Sequence, residues 1–402
     1  MRLDIDGRNC ELESGRSILD AVKKEGLDSI MLSDRPLAAQ IGGEVFNLRF
    51  TPKKDTQIHL LRYGEDMGRR VYERTLQFLF ILAMRKEFPR ARVCVRYSLG
   101  PGLFITVDGM EEPFNEEAAL KVETEMRRLV RLKLPLERRR ISIKEALSFY
   151  EQDGQADKAK LLKWRRFSYF DVYQIDGYMD YFYGEMAPDM SYADVFRVKY
   201  VHDGAVVLLM PRSDAPDVPS DYVDLPKLHA VFHQSDEWGK LMECATVNDL
   251  NTHIQNGTIR ELVRINEALH DRGYADIADK IVQKGAKAVL VAGPSSSGKT
   301  TSAHRISTQL RLQGCHPVML SLDDYYIDRD KIERDENGEI DLENINTLDI
   351  QRFGSDLAAL IRGEKVEVPR FDFTNGKRAP EGRILQLHDD EPVIIEGIHG
   401  LN

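Results

Sequence analysis

The sequence predicts a multidomain protein. A small β-grasp module comes first, then an α+β domain, then an α/β core with a parallel sheet and a phosphate-binding loop. Three observations predict this. The chain has 402 residues, more than one ordinary domain uses. Strand-like runs crowd its first two hundred positions. In its last third a short apolar run feeds a Gly/Ser loop and then a helical pattern, the order strand, loop, helix.

Composition narrows the class. Hydrophobic residues are 42% and charged residues 30%, enough for several soluble cores. The net charge of −10 excludes a basic field over the whole surface and leaves only local patches for nucleic acid. Cys10, Cys94, Cys244 and Cys315 are far apart and form no CxxC pair, so they read as reduced thiols of a cytoplasmic protein. The opening "MRLDIDGRNCE" carries charges where a signal peptide needs an apolar core. The run "LQFLFILAM" (76–84) is too short to span a bilayer and contains Gln77, so no membrane segment is expected.

Residues 1–62 read as a ββαββ sheet with one packed helix. "MRLDID" and "NCELES" form a hairpin around Gly7, and "SILDAVKKEG" a helix stopped by Gly26. "AAQIGGEVFNL" turns at Gly42 and Gly43, and "TQIHLLRY" adds a strand. Residues 63–212 read as one α+β domain. A helix over 69–88 puts Val71, Thr75, Phe78, Leu79 and Leu82 on one face. Two strands flank Gly100–Gly102, and Ser142 with Glu145 predicts a capping box. "FSYFDVYQIDGYMDYFYG" and "FRVKYVHDGAVVLLMP" are hairpin-like. The Pro/Asp/Ser-rich stretch 212–226 predicts a linker, so that 213–285 is linker and helical connector. A second capping box is predicted at Thr258 and Glu261, with Gly285 as the stop. The nucleotide-loop domain then occupies 286–402.

"AVLVA" (288–292) is the pattern of a buried parallel strand. Gly293-Pro-Ser-Ser-Ser-Gly298-Lys299-Thr300 follows and matches GxxxxGK[ST] at every fixed position. Gly293 and Gly298 let the backbone curl around an anion. Ser295, Ser296, Ser297, Gly298, Lys299, Thr300 and Thr301 bring amides to a helix N-terminus, where they point at phosphate oxygens. Lys299 neutralises the outer phosphates, and the Thr300 hydroxyl suits a Mg²⁺ shell. "HPVMLSLDDYY" (316–326) places Asp323 at a second strand's carboxyl end, where an acid can fix or deprotonate an attacking hydroxyl. "EPVIIEGIHG" (391–400) places Glu396 at a third, as a metal-holding acid. A solvated loop acid is the alternative for Asp323, and a turn-capping acid for Glu396.

With "GPSSSGKTT", "SLDDYY", "VPRFDF" and "IIEGIHGLN" in this order, residues 286–402 resemble the first half of the uridine kinase / phosphoribulokinase family. The resemblance implies a kinase that moves the γ-phosphate of ATP, with Mg²⁺, to the hydroxyl of a nucleoside or similar small molecule. It makes Asp323 and Lys299 the catalytic residues. It turns Tyr326 and Glu343 toward the nucleoside and Phe371 toward the base. Two positions depart from the family pattern: Phe371 stands where Tyr is usual, and Gly376 where His is usual, which puts uridine itself in question. Glu343 stands where Asp is usual. The family's domain has further strands and an Arg-bearing lid beyond the third strand, so the resemblance implies an incomplete and poorly active kinase in residues 1–402.

Residues 1–62 resemble the TGS domain. Residues 69–212 resemble the second additional domain of threonyl-tRNA synthetases, through "FPRARVCVRYSLGPGLFITVDG" and "LPLERRRISIKEALSFYEQDGQADKAKLL". The synthetases edit there with His-x₃-His and Cys-x₃-His, and the matching positions here are Tyr72, Leu76, Phe182 and Met186. None can hold zinc, so no zinc is expected and the editing chemistry is lost. RNA or tRNA binding rests on two stretches: "RRLVRLKLPLERRR" (127–140), with seven basic residues and one acid, and "WRRFSYFDVY" (164–173). The alternatives are a solvated basic face and a half-buried aromatic hairpin.

A kinase acting on a small-molecule acceptor is thus one reading, with a homo-oligomer compatible with it. A non-catalytic nucleotide switch that binds RNA or tRNA through the front half is another. A GTPase would need a DxxG at a strand end and an NKxD. Within 286–402 the single DxxG match, "DENG" (335–338), follows a charged run, and NKxD does not occur in the sequence. Asp323, Tyr326 and "FDF" favour the kinase, because a switch has no use for an acceptor pocket.

Overall fold

A computed structural model describes residues 2–334, 338, 340–388 and 391–402. The "DENG" tetrapeptide lies outside the described residues except for Gly338. Contacts divide the chain into two compact units, 1–252 and 253–402. Among the described residues no helix is long and apolar enough to cross a membrane.

The first unit begins with β1 (Arg2–Ile5) and β2 (Arg8–Glu11), antiparallel around Asp6 and Gly7. Both turn residues have positive φ, 49° and 82°, which matches the turn to the twist of the strands. Helix α1 (Ile18–Lys24) opens with a reciprocal cap between Ser17 and Asp20 and buries Ile18, Leu19, Ala21 and Val22. Strands β3 (Ala38–Ile41) and β4 (Glu44–Phe46) turn at Gly42–Gly43. Strand β5 (Thr56–Leu61) lies parallel to β1, giving the order β2-β1-β5-β3-β4. All five strand runs read from the sequence form the sheet, with the "TQIHLLRY" strand at its centre.

Helix α2 (Asp66–Glu87) starts three residues before the predicted 69 and buries all five predicted positions. There follow β6 (Arg92–Leu99), β7 (Gly102–Asp108), α3 (Glu116–Leu132), β8 (Glu137–Ser142), α4 (Ile143–Gln152), α5 (Ala156–Leu162), β9 (Tyr169–Ile175), β10 (Tyr178–Asp180), β11 (Arg197–His202) and β12 (Ala205–Leu209). One sheet has the order β11-β12-β7-β6, another β10-β9-β8. Leu103, Ile105, Val206 and Leu208 alternate onto one face of the former, in one core with residues of α2 and α3. At α4 the Ser142 side chain accepts from the Glu145 amide at 3.1 Å, as a cap should.

Three of the four positions expected from the resemblance to match zinc ligands lie in that core, and the fourth packs against it. Tyr72, Leu76 and Met186 are fully buried, and Phe182 packs against them. Tyr72 Oη donates to the Val195 carbonyl at 2.7 Å.

The first part of the linker expected over 212–226 is a strand hairpin, and 220–225 has no regular structure. Strands β13 (Pro211–Arg212) and β14 (Ala215–Pro219) form a hairpin. Tyr63 Oη donates to the Pro211 carbonyl at 2.7 Å, and the Ser33 amide donates to Asp217 at 3.0 Å. Long-range partners for its backbone outweigh the Pro/Asp/Ser composition. Helix α6 (Pro226–Leu241) starts on a proline at its first turn, where no N–H is needed. Helix α7 (Val247–Asn256) follows a reciprocal Thr246–Asp249 cap, which the sequence reading missed.

In the second unit α8 (Ile259–Lys284) ends on Gly285 in the left-handed conformation. The capping box predicted at its start does not form. Thr258 has helical torsions, and its hydroxyl lies 2.8 Å from His253 Nδ1 instead. Strand β15 (Ala288–Ala292), α9 (Lys299–Leu312), β16 (Val318–Ser321), α10 (Ile350–Ile361), the short strands β17 (Val366–Val368), β18 (Phe371–Asp372), β19 (Lys377–Arg378) and β20 (Arg383–Leu385), and β21 (Val393–Gly397) complete it. The sheet β15-β21-β16 is parallel throughout, with β21 central and wholly buried. Ile394 faces a core with Ala278, Ile281, Ala303, Ile306 and Leu310 of α8 and α9. Val393 and Ile395 face the opposite core, with Leu320, Tyr325, Leu360 and Val368. Strand β15 pairs on one side, so Leu290 is 49% exposed rather than buried as expected.

Candidate active site beside the phosphate loop

The loop leaves β15 at its carboxyl end. A Cβ at Gly293 would lie 2.8 Å from Ser297 Oγ, so a side chain there would force Ser297 to shift. Ser296 and Gly298 both have positive φ, 61° and 84°. Successive amides thereby turn toward one concave side, a nest for an anion. The first intrahelical bond of α9 runs from the Ser302 amide to the Gly298 carbonyl, at 2.8 Å. The amides of Lys299, Thr300 and Thr301 precede it and are free for a ligand. Ser295, Ser296, Ser297, Thr300 and Thr301 are exposed, and Lys299 is half-buried. Lys299 Nζ donates to the Pro294 carbonyl of its own loop at 3.0 Å.

Helix α9 is anchored from behind by α8. Arg305 pairs with Asp271, Gln313 donates to Asp279 at 2.6 Å, and the Tyr274 and Ser302 hydroxyls are 3.1 Å apart. A fixed helix keeps its N-terminal dipole aimed at the loop.

Strand pairing brings the acids to the same end of the sheet. Glu396 of β21 stands in register with Val291 of β15 and Ser321 of β16. It is 5% exposed, and its Oε1 accepts from the Ser321 hydroxyl at 2.6 Å. Asp323 follows β16 by two residues, in a 3₁₀ turn capped by Ser321. Burial pushes the Asp323 carboxyl above its ordinary value, and the neighbouring Glu396 charge pushes it further, while Lys299 acts in the opposite direction. Asp323, Glu396 and Lys299 therefore share one electrostatic site.

The acceptor side is aromatic. Tyr326 lies 5.7 Å from Phe371 and 6.1 Å from Phe373, and Phe371 lies 5.1 Å from Phe373, between ring centroids. Phe371 is only 7% exposed, whereas Phe373 is 52% exposed, so Phe373 presents the ring surface expected of Phe371. Burial raises the Tyr326 phenol, with the charges of Asp323 and Glu343 acting in the same direction. Glu343 itself is exposed. Arg378 donates to the carbonyls of Tyr325 and Tyr326 and pairs with Asp349 at 2.9 Å, which holds this segment. The Phe371 amide donates to Asp324 at 3.3 Å, tying "FDF" to the Asp323 turn. Sequence reasoning missed Ser321, Asp324 and Arg378. Ser321 and Asp324 lie within "SLDDYY", so the motif could have signalled two of them.

The donors fit a hard cation. Thr300 Oγ1 and one oxygen of Glu396 are hard oxygen donors of the kind Mg²⁺ takes, together with substrate phosphates and water. Among the described residues no group of three His, Cys, Asp or Glu could hold a metal.

Comparison with known proteins divides the chain in two. Curated matches to the N-terminal region are threonine–tRNA ligases. That of Clostridium kluyveri is 26% identical over 158 residues, 39% of this chain and 24% of the ligase. That of Acetivibrio thermocellus is 28% identical over 160 residues, also 39% and 24%. The chain thus spans about a quarter of the length of these curated relatives. A solved structure described as a possible uridine kinase from Bacillus stearothermophilus is 24% identical, covering 31% of this chain and 70% of that one with a TM-score of 0.26. Residues 288–402, which hold the loop, both acids and the aromatic segment, match the Phosphoribulokinase / Uridine kinase family.

Proposed function

We propose that the second unit is an ATP-dependent kinase of the uridine kinase type, transferring the γ-phosphate to a hydroxyl of a nucleoside or similar small molecule. One observation carries the reading: the glycine loop at the end of β15 shares a site with Asp323 and Glu396, which two adjacent parallel strands deliver. The exposed amides at the start of α9 bind the phosphates. Lys299 leaves the Pro294 carbonyl for the outer phosphates, a stronger charge-assisted partner. Thr300 and Glu396 would hold Mg²⁺, which when bound offsets phosphate charge. Asp323 orients the acceptor hydroxyl and receives its proton, a task suited to a carboxylate of raised proton affinity. Tyr326, Glu343 and the phenylalanine pair line the acceptor side.

In this reading 1–62 is a TGS-like β-grasp module, and the region after it a synthetase-derived domain whose editing positions have become core. The protein works in the cytoplasm. RNA or tRNA binding through the front half is the second reading. Against it, Arg127, Arg128, Arg138 and Arg140 of the basic stretch are paired with Glu123, Glu125, Asp171 and Glu185. For it, Phe167 is 61% and Tyr183 75% exposed.

The test is a phosphotransfer assay with Mg·ATP and a panel of nucleosides, with products identified by mass spectrometry. An acceptor-dependent phosphorylated product that Asp323→Asn abolishes supports the kinase. ATP binding with no product from any acceptor, together with tight tRNA binding, favours the switch.

A further inference from the structure

One side chain links both acids of the site, and its place at the head of "SLDDYY" gave it no role in the sequence reading. Ser321 is the last residue of β16, directly opposite Glu396 in the parallel register. Side chains at paired positions of neighbouring strands emerge on the same face, so the two meet by construction. The carboxylate can only accept, so the Ser321 hydroxyl donates to Glu396 Oε1, at 2.6 Å. The same oxygen accepts from the Asp323 amide at 3.3 Å, capping the turn that carries Asp323. One hydroxyl therefore spends its single proton on the metal acid and a lone pair on the backbone of the hydroxyl acid.

Two consequences follow. Glu396 is almost wholly buried, and Ser321 is its one side-chain hydrogen-bond partner among the described residues. Without it the carboxylate would be free to rotate and would lose its only fixed donor in a desolvated place. With it Oε1 is committed, and the other oxygen is left for a cation. The Asp323 turn is set by the same atom, so the spacing between the two acids is fixed through Ser321. Gly397 adds rigidity on the far side: a Cβ there would lie 2.6 Å from Leu322 Cβ, so β21 and the turn after β16 approach as closely as backbone allows.

We infer that Ser321 is the positioning residue of this site: its hydroxyl orients Glu396 to present one oxygen to Mg²⁺ and holds the Asp323 turn at the matching distance. The inference rests on the kinase reading of the loop and acids. Ser321 itself touches neither metal nor substrate. Partners of this kind typically change metal affinity by about 10–100-fold when removed.

The experiment is a calorimetric titration of ATP into the full chain at a series of MgCl₂ concentrations and in EDTA. Variants are Ser321→Ala, Ser321→Thr, Ser321→Cys and Lys299→Ala. The expected result is that Ser321→Ala raises the Mg²⁺ concentration for half-maximal enhancement of ATP binding by about tenfold or more. Binding in EDTA stays unchanged. Ser321→Thr restores the wild-type Mg²⁺ dependence, and Ser321→Cys, similar in volume but a weak donor, behaves as the alanine variant. Wild-type Mg²⁺ dependence in Ser321→Ala overturns the inference. So does an equal loss of ATP binding with and without Mg²⁺, or a threonine variant no better than alanine, since each marks a merely structural serine. If Lys299→Ala binds Mg·ATP as wild type does, the nucleotide-site reading itself fails and the inference falls with it, an outcome separable from the others.

Discussion

Arg329 lies across Gly376. A Cβ at position 376 would sit 2.5 Å from Arg329 Cδ, and the Arg329 amide donates to the Gly376 carbonyl at 2.9 Å. Gly376 also has φ +65°, so the turn between β18 and β19 is closed by a residue without a side chain. The glycine at 376 is therefore favoured by its left-handed backbone and by the Arg329 side chain laid across it.

Gly376→Ala is expected to destabilise the second unit by about 1–2 kcal/mol from the left-handed backbone alone, with the Arg329 clash added. In an Arg329→Ala background the same substitution costs less. Denaturant melts of the four proteins form a double-mutant cycle that reads the difference directly. Equal costs in both backgrounds would show that Arg329 does not occupy the space.

Asp323 makes a pH prediction. Its folded carboxyl has a raised proton affinity against the ordinary 3.8, because of burial and Glu396. Between the two values the folded state binds more protons than the unfolded, so this group lowers stability as pH rises through that window. Asp323→Asn removes the buried charge and is expected to raise the melting temperature at pH 7, with the gain vanishing below pH ~4. A lower melting temperature at pH 7 would contradict the placement of Asp323 beside Glu396.

Helix α6 gives a prediction of opposite sign. His229 Nδ1 lies 2.8 Å from Tyr97 Oη, and the His229 ring packs on Phe104 at 4.7 Å between centroids. Burial, His202 and His233 lower its pKa from 6.5, with Asp224 opposing them. A lowered histidine stabilises fully above the unfolded value and loses that contribution as pH falls below about 6.5. Hydrogen exchange of α6 should therefore accelerate more between pH 7 and pH 5.5 in wild type than in His229→Phe, after correction for intrinsic rates. Identical pH responses would show that His229 does not set the pH dependence of α6.

The basic stretch 127–140 should act as structure. Arg138 and Arg140 both pair with Asp171, across β8 and β9. Reversing both to Glu sets like charges opposite each other and is expected to lower the melting temperature. Reversing Arg131 and Lys133, which are exposed, is not. Added tRNA should bind weakly and lose affinity steeply with salt. Tight binding at physiological salt, lost in a stable Arg131/Lys133 variant, would contradict this.

Much of this was legible in the sequence for local reasons. The hairpins at Gly7 and Gly42–Gly43 and the stop at Gly285 need positive φ, and glycine announces it. The loop from Gly293 to Thr300 is contiguous, so its shape is written in one stretch. Other features depend on partners far along the chain. The 212–226 segment has linker composition, yet its first part pairs with Pro211–Arg212 as a hairpin tied to Tyr63 and Ser33. Thr258 and Glu261 have capping spacing, but His253 takes the hydroxyl first. Phe371 matches a motif, yet Tyr326 and Phe373 bury it. Ser321 and Glu396 are 75 residues apart, and strand register alone joins them.

The most direct test of the central claim is calorimetric titration of Mg·ATP into wild type and Lys299→Ala. The loss of a charge-assisted contact to phosphate is worth about 1.5–3 kcal/mol, or roughly ten- to a hundredfold in affinity. The account predicts a single nucleotide site in wild type and a loss of that size in the variant, with melting temperature unchanged. Equal affinity in the two proteins, or no Mg·ATP binding by wild type, would contradict it.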